Sequence, residues 1–266
     1  MQRSRFVAVG LAFLSVFTLS AELGAQARQE WVESARPVSD AVDLLVKECR
    51  CVISYEDPRW DKADLEDATD RVSTTKDAPL RIYVPKKTGF VFSYERPEKV
   101  DRPEDMAAAV TSVVDWHRNA GHRSDFKVQS TSDGVYVFPM KGSALDVRMS
   151  IAAQEGRTSD MLALFLADLK KVSGTGLTLG VVPWDHLSTT KAQISARNEP
   201  AREVLARLLS SAGRKVYWRL YYDYLLGYVL NLGMSDPPRC EGAVAVGTVC
   251  NSGDTDKAVL LQPGRQ

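Results

Sequence analysis

The chain has 266 residues, with 34 Lys+Arg against 34 Asp+Glu and 44% hydrophobic residues. That balance excludes the highly charged, apolar-poor profile of a disordered chain, and it gives no electrostatic reason to expect a nucleic-acid partner. The length suits one large domain or two of about 100 residues.

The first residues read as an export address. Arg3 and Arg5 precede an apolar run, Phe6 to Leu19, and Ala25-Gln26-Ala27 offers the small residues of a cleavage site. The run is shorter than the roughly 20 apolar residues a spanning helix needs. Residues 1–27 are therefore expected to be a signal peptide cleaved after Ala27, with the mature chain periplasmic or secreted and free of transmembrane segments. Its removal takes two arginines and Glu22, leaving 32 basic against 33 acidic residues, a net charge of −1. No cysteine closely follows the apolar run, so no lipid anchor is expected.

Export permits disulfides. Cys240 and Cys250 bound a short Gly-containing loop and are expected to pair, which in the loop-entropy picture contributes about 3 kcal/mol. Cys49 and Cys51 match neither the C-x-x-C-H haem spacing nor the C-x-x-C redox spacing, and a Cys-x-Cys bridge is geometrically demanding. Two buried thiols, a bond to the tail cysteines and a redox role all remain open for this pair.

In chain order, 28–37 reads as a loose lead-in. Val38, Ala41, Val42, Leu45, Val46 and Cys49 have helical spacing, and Cys51–Tyr55 reads as a strand. Residues 56–75 are a charged, solvated insertion whose acidic cluster lacks the calcium-loop spacing. Leu80–Val84 and Phe90–Tyr94 read as strands. Asp101, Pro103 and Glu104 open a helix that runs to about Asn119 and closes at Gly121. Phe126–Gln129 and Val135–Phe138 form a hairpin, and 139–143 is a plausible boundary. Beyond it come a strand at 147–152, a helix at 159–171, a strand at 177–182 and a strand at 193–196. Asn198 is expected to cap the next helix, with Pro200 in its first turn and Gly213 at its end. A hairpin over 215–232 follows.

A shift of 92 residues lays Val113 on Leu205, Trp116 on Leu208, Phe126 on Trp218, Val128 on Leu220, Tyr136 on Tyr228 and Val137 on Val229. Core-type positions matching core-type positions mark a repeated packing unit. The expected fold is therefore α+β, with two repeated small domains, each having two helices packed on a short mixed sheet. The first spans 38–141 with an insertion at about 56–95, the second spans 147–234, and 235–266 is a tail carrying the expected disulfide loop.

The stretches SDMLALFLADLKKVSGTGLTLGVV and AQISARNEPAREVLARLLSSAGRKVYWRL resemble the secretin and TonB N-terminal short domain. The matching residues are Leu177, Ile194, Asn198, Val204, Leu205, Leu208, Leu209, Gly213 and Trp218, and the likeness is clear over 147–232 and weak over 38–141. The resemblance implies a periplasmic, non-enzymatic interaction module, here without a following secretin or barrel region. Its partner would be an envelope protein; the alternative is a module binding a glycan or peptide.

Chemistry-bearing motifs are sparse. His117 and His122 are five residues apart, which does not place two ligands on one helix face. His117 falls on a core position in the repeat register, and His122 reads as a solvated loop residue. His186 lies near Asp185 and Ser188 but has no nucleophile elbow to support a triad. No phosphate-binding glycine motif, metal ligand set or cofactor is expected. On the strand 216–222, alternation separates Trp218 and Leu220, on the core face, from Tyr217, Arg219 and Tyr221. Tyr and Arg are enriched in binding hot spots, so these three are the candidate partner-contact residues, unless a second layer covers them.

Overall fold

Apolar spacing becomes helix and alternation becomes strand through most of the chain, and these elements meet in a sheet that neither half completes alone. The structure is a computed structural model describing residues 27–72, 81–95, 103–122, 125–213 and 215–235. The first half contains β1 (Ala27–Ser34), α1 (Pro37–Cys49), β2 (Ile53–Glu56), β3 (Leu65–Asp67), α2 (Thr69–Val72), β4 (Tyr83–Pro85), β5 (Thr88–Glu95), α3 (Pro103–Asn119), β6 (Phe126–Thr131) and β7 (Gly134–Pro139). The second contains β8 (Arg148–Arg157), α4 (Thr158–Ser173), β9 (Leu177–Leu179), α5 (Trp184–Thr189), β10 (Lys191–Pro200), α6 (Ala201–Ser210), β11 (Val216–Asp223) and β12 (Gly227–Met234).

The mixed α+β class is as expected. One six-stranded sheet, ordered β6-β7-β2-β11-β12-β9, runs through both halves, and β1-β5, β8-β10 and β3-β4 form separate antiparallel pairs. Within each half a hairpin lies beside a parallel third strand: β2 along β7, and β9 along β12. The halves join where β2 pairs in parallel with β11. The stretch at 139–143 thus separates the halves in sequence without dividing the sheet.

Alternation along the shared strands gives the sheet a core on each face. Val135 and Val137 of β7 join Ile53 and Tyr55 of β2 beneath α1 and α3. Tyr136 and Phe138 point the other way, into a core with Trp218, Leu220, Leu230 and the apolar stripes of α4 and α6. The ring of Tyr136 stacks on that of Trp218 at 5.0 Å. Each half therefore contributes side chains to the core of the other.

Several local expectations are corrected. Residues 27–34 are not a loose lead-in but β1, paired along its length with β5. The charged insertion begins with two buried carboxylates, Glu56 and Asp57, and contributes β3 to a ladder with β4. Asn198 does not cap α6: it lies inside β10 in the left-handed region (φ 54°), at a place where the register against β8 shifts, and Pro200 is the cap. Asn tolerates that conformation better than most residues, which suits a bulge. The offset of 92 holds for Phe126 and Trp218 but becomes 93 beyond the turns, where Val135 matches Tyr228 and Val137 matches Leu230. The second hairpin turns through three residues and the first through two, so a one-residue slip reverses the facing of everything after it. Trp116, laid on buried Leu208, is exposed. The expected helix-capping Asp101, the signal segment as far as Gln26 and the Cys240–Cys250 loop lie outside the described residues.

Because the core of the second half rests on strand β7 of the first, Trp218→Ala should act on the whole sheet. It should destabilise the chain by about 3–5 kcal/mol, and denaturant unfolding followed by fluorescence and circular dichroism should remain one coincident transition. Two separated transitions would show that the halves unfold independently.

Candidate functional site

Three sets of buried charges tie the halves together at the β2–β11 junction. Tyr55 and Glu56 end β2 opposite Arg219 and Leu220, and Asp57 continues the ladder by donating its N–H to the Leu220 carbonyl at 2.7 Å. Successive side chains alternate, so Glu56 enters the second-half face and Tyr55 the first-half face. The Glu56 carboxylate receives two bonds from the Arg202 guanidinium of α6, at 2.6 and 2.9 Å, and also accepts from the Ser143 hydroxyl. Arg202 reaches Asp146 at 2.9 Å and lies over the Phe138 ring at 3.7 Å. Burial alone would lower the Arg202 pKa, but Glu56 and then Asp146 outweigh it and leave it raised.

Asp57 is fully buried and accepts from Arg36 at 2.6 Å, from the Tyr55 hydroxyl at 2.9 Å and from the Tyr222 N–H at 2.9 Å. Arg36 closes the ring by donating to the Tyr222 carbonyl at 3.1 Å. Burial, and then the neighbouring Asp57 charge, pushes the Tyr55 phenol well above its ordinary pKa.

The three residues expected to meet a partner belong to this junction. Arg219 is only 4% exposed and binds Asp43 of α1 and the Ile53 carbonyl. Tyr217 lies under its guanidinium at 4.5 Å, and the Tyr221 hydroxyl is 3.0 Å from Ser39 Oγ. Burial raises the pKa of both phenols. The contact face is thus corrected to an internal one: the first half is the layer that covers it.

Where the junction reaches the surface there is a groove of about 440 Å³ between α6 and the β6–β7 hairpin. Arg202, Tyr136 and Phe138 form its inner side, and Gln129, Arg148 and Glu203 contribute to its rim. Nothing in the linear order singled it out, because its walls come from residues 129–138, 146–148 and 200–207. A second depression of about 620 Å³ lies beside α5, lined by Trp184, His186 and Met234 among others. On α5, Ser188 donates to the Asp185 main-chain carbonyl, not to His186, and the His186 Nε2 has no hydrogen-bond partner. The three residues form no hydrogen-bonded relay.

His117 is buried, as its register implied, with its ring against Phe90 and Phe126. His122, read as a solvated loop residue, is instead half-buried: its ring lies 4.6 Å from that of His117 and its Nε2 is 3.2 Å from the Gly89 carbonyl. Among the described residues no group of three or more His, Cys, Asp and Glu could hold a metal ion. Cys49 and Cys51, whose pairing was open, stand at bonding distance across the end of α1, with Cα atoms 5.2 Å apart and Arg50 between them in the left-handed conformation (φ 50°).

Burial first, and His122 second, lowers the His117 pKa to about 4, with Arg118 adding to the effect and Asp125 opposing it. The folded state therefore binds fewer protons here than the unfolded state. This contribution to stability is complete above about pH 6.5 and falls as the pH drops towards 4. His117→Phe should flatten the fall in unfolding free energy between pH 6.5 and 4; an unchanged slope would contradict it. Arg202→Met should cost about 3–5 kcal/mol, because Glu56 is left buried and unpaired. Adding Glu56→Gln should recover much of that loss, and a double-mutant cycle by denaturant unfolding measures the coupling.

No family model, curated protein or solved structure matches this chain.

Proposed function

We propose that the chain is an exported, non-enzymatic interaction protein of the cell envelope, built from two units resembling the secretin and TonB N-terminal short domain. The observation that carries this reading is the element order. Setting aside the inserted segment 62–85, with β3, α2 and β4, in the first half and α5 in the second, each half runs strand, helix, strand, then strand, helix, hairpin, with the first and fourth of these elements paired as β1-β5 and β8-β10. The resemblance over 147–232 has the same succession of an amphipathic helix, a strand, a strand ending near Asn198, a second helix and a strand pair. Among the described residues no helix is long and apolar enough to cross a membrane.

With Tyr217, Arg219 and Tyr221 internal, the surface that serves a periplasmic or outer-membrane protein partner is the groove between α6 and the β6–β7 hairpin. It offers both apolar floor and polar rim, the mixture found where a few central contacts dominate binding. Its size also falls within the range of small-ligand sites, about 300–1,000 Å³, which favours a glycan or peptide occupant as the second reading.

Two measurements test the proposal. Cell fractionation with mass spectrometry of the N-terminus should find the chain in the envelope or periplasmic fraction, beginning at Arg28. In-cell cross-linking should yield a discrete adduct with an envelope protein. Glu203→Trp, which fills the groove from the exposed side of α6, should reduce that adduct at least tenfold while leaving the melting temperature within a few degrees. A cytoplasmic, unprocessed chain would defeat the proposal, as would an adduct indifferent to Glu203→Trp. A thermal shift with cell-wall fragments, lost in the same variant, would favour the small-ligand reading.

A further inference from the structure

The shared sheet contains one junction between halves and ends in two edges that repeat its two sides. At the junction, the strand parallel to the first hairpin, β2, pairs in parallel with the opening strand of the second hairpin, β11. At the ends of the sheet lie β9, the strand parallel to the second hairpin, and β6, the opening strand of the first. Neither edge has a second strand neighbour among the described residues. We infer that the β9 edge of one copy pairs in parallel with the β6 edge of another, extending the sheet head to tail through the geometry that already joins the two halves.

The backbone groups of β6 and of Leu177–Leu179 are set for it. Val181 is the exception: its N–H donates to Asn231 Oδ1 at 2.7 Å and its carbonyl accepts from the Leu232 N–H at 2.8 Å, so pairing there requires Asn231 to release it. In the second hairpin the Ser235 N–H bonds the Lys215 carbonyl, so by antiparallel alternation Trp218, Leu220 and Tyr222 turn their backbone groups away from β12 towards β2. That is where the Leu220 carbonyl accepts from Asp57 and the Trp218 N–H meets Ser54 Oγ. In the first hairpin the Met140 N–H bonds the Asp125 carbonyl, and the same alternation turns Phe126, Val128 and Ser130 towards the open edge of β6. On the other side, Tyr55 stands opposite Val137 as Leu179 stands opposite Leu230. Ser54 then corresponds to Thr178, which is exposed and keeps a hydroxyl where Ser54 uses one.

The side chains differ in one respect that indicates a separable contact. The positions of Glu56 and Asp57, buried and ion-paired at the inner junction, fall on Gly180 and Val181. Val181 is 72% exposed, and Trp184 close by in the chain is 48% exposed. Arg219 corresponds to Lys127, exposed on β6. An apolar edge of this kind buries surface on pairing without the cost of desolvating a charge pair. Because the two edges differ, the contact is heterologous, and assembly continues beyond two copies.

This inference stands whether or not an envelope protein binds the groove. Sedimentation of the purified chain at rising concentration should show an average mass that climbs past that of two copies. Ser130→Pro removes an N–H directed at the open edge while sparing the bonds to β7, and should hold the chain as a monomer with an unchanged melting temperature. A short bis-maleimide reagent should couple a mixture of Val181→Cys and Ser130→Cys chains, because Asp57 and Tyr222, their counterparts at the inner junction, are in contact at 2.9 Å. Neither variant alone should couple above the wild-type background. A monomer at every concentration would overturn the inference, as would coupling of either single variant with itself or assembly that stops at two copies.

Discussion

The parallel pairing of Tyr55 and Glu56 with Arg219 and Leu220 holds the two halves in one sheet. Such a ladder is too short to fix register by itself, since net stabilisation is only about 1 kcal/mol per hydrogen bond. Register comes from what stands on either side. Glu56 must meet Arg202 on one face while Arg219 meets Asp43 on the other, and Asp57 must take both Arg36 and the Tyr222 N–H. A slip of one residue would exchange the faces and bury each carboxylate against apolar side chains. The energetic consequence is one-sided: the pairs add little over well-packed apolar residues, but breaking one leaves a charge without a partner.

This arrangement also explains why each core borrows from the other half. Strands β7, β2 and β11 are covered on both faces, so their alternating residues cannot divide into a buried and a wet set. Every residue of β7 is buried, and on β11 Trp218 and Leu220 serve one core while Tyr217 and Tyr221 pack against the other. A face rich in Tyr and Arg is what a binding surface and an inner polar seam have in common. Position in the sheet decides between them, and here it favours the seam.

The legible parts of the sequence were those in which local pattern and tertiary environment agree. The stripes of α1, α4 and α6 and the alternation of β11 could be read directly, because each element buries the face its period defines. The strand β1 escaped because Ala27–Ser34 has few large apolar residues and its Trp31 is exposed. Its order comes from pairing with β5, distant in the chain. Glu56 and Asp57 looked like the start of a solvated insertion because their partners Arg202 and Arg36 are far away in sequence. The groove failed to register for the same reason. The hairpin register was misread by one residue because turn length is not visible in apolar pattern alone, although it inverts the facing of all that follows.

The two ends of the sheet give the inner junction a further meaning. A sheet edge is an association hazard that proteins usually blunt with charge or distortion. The inner pair of edges carries buried acids and arginines, chemistry that demands one partner in one register. The corresponding outer positions carry Gly180, Val181 and Lys127, so the specificity of the junction is absent, while the backbone opportunity remains along Leu177–Leu179 and β6. A join through β6 and β9 would therefore be weaker and more easily reversed than the join through β2 and β11, with the same strand directions and different side chains. The permanence of the inner contact follows from its charges and from the continuous chain; the geometry is shared.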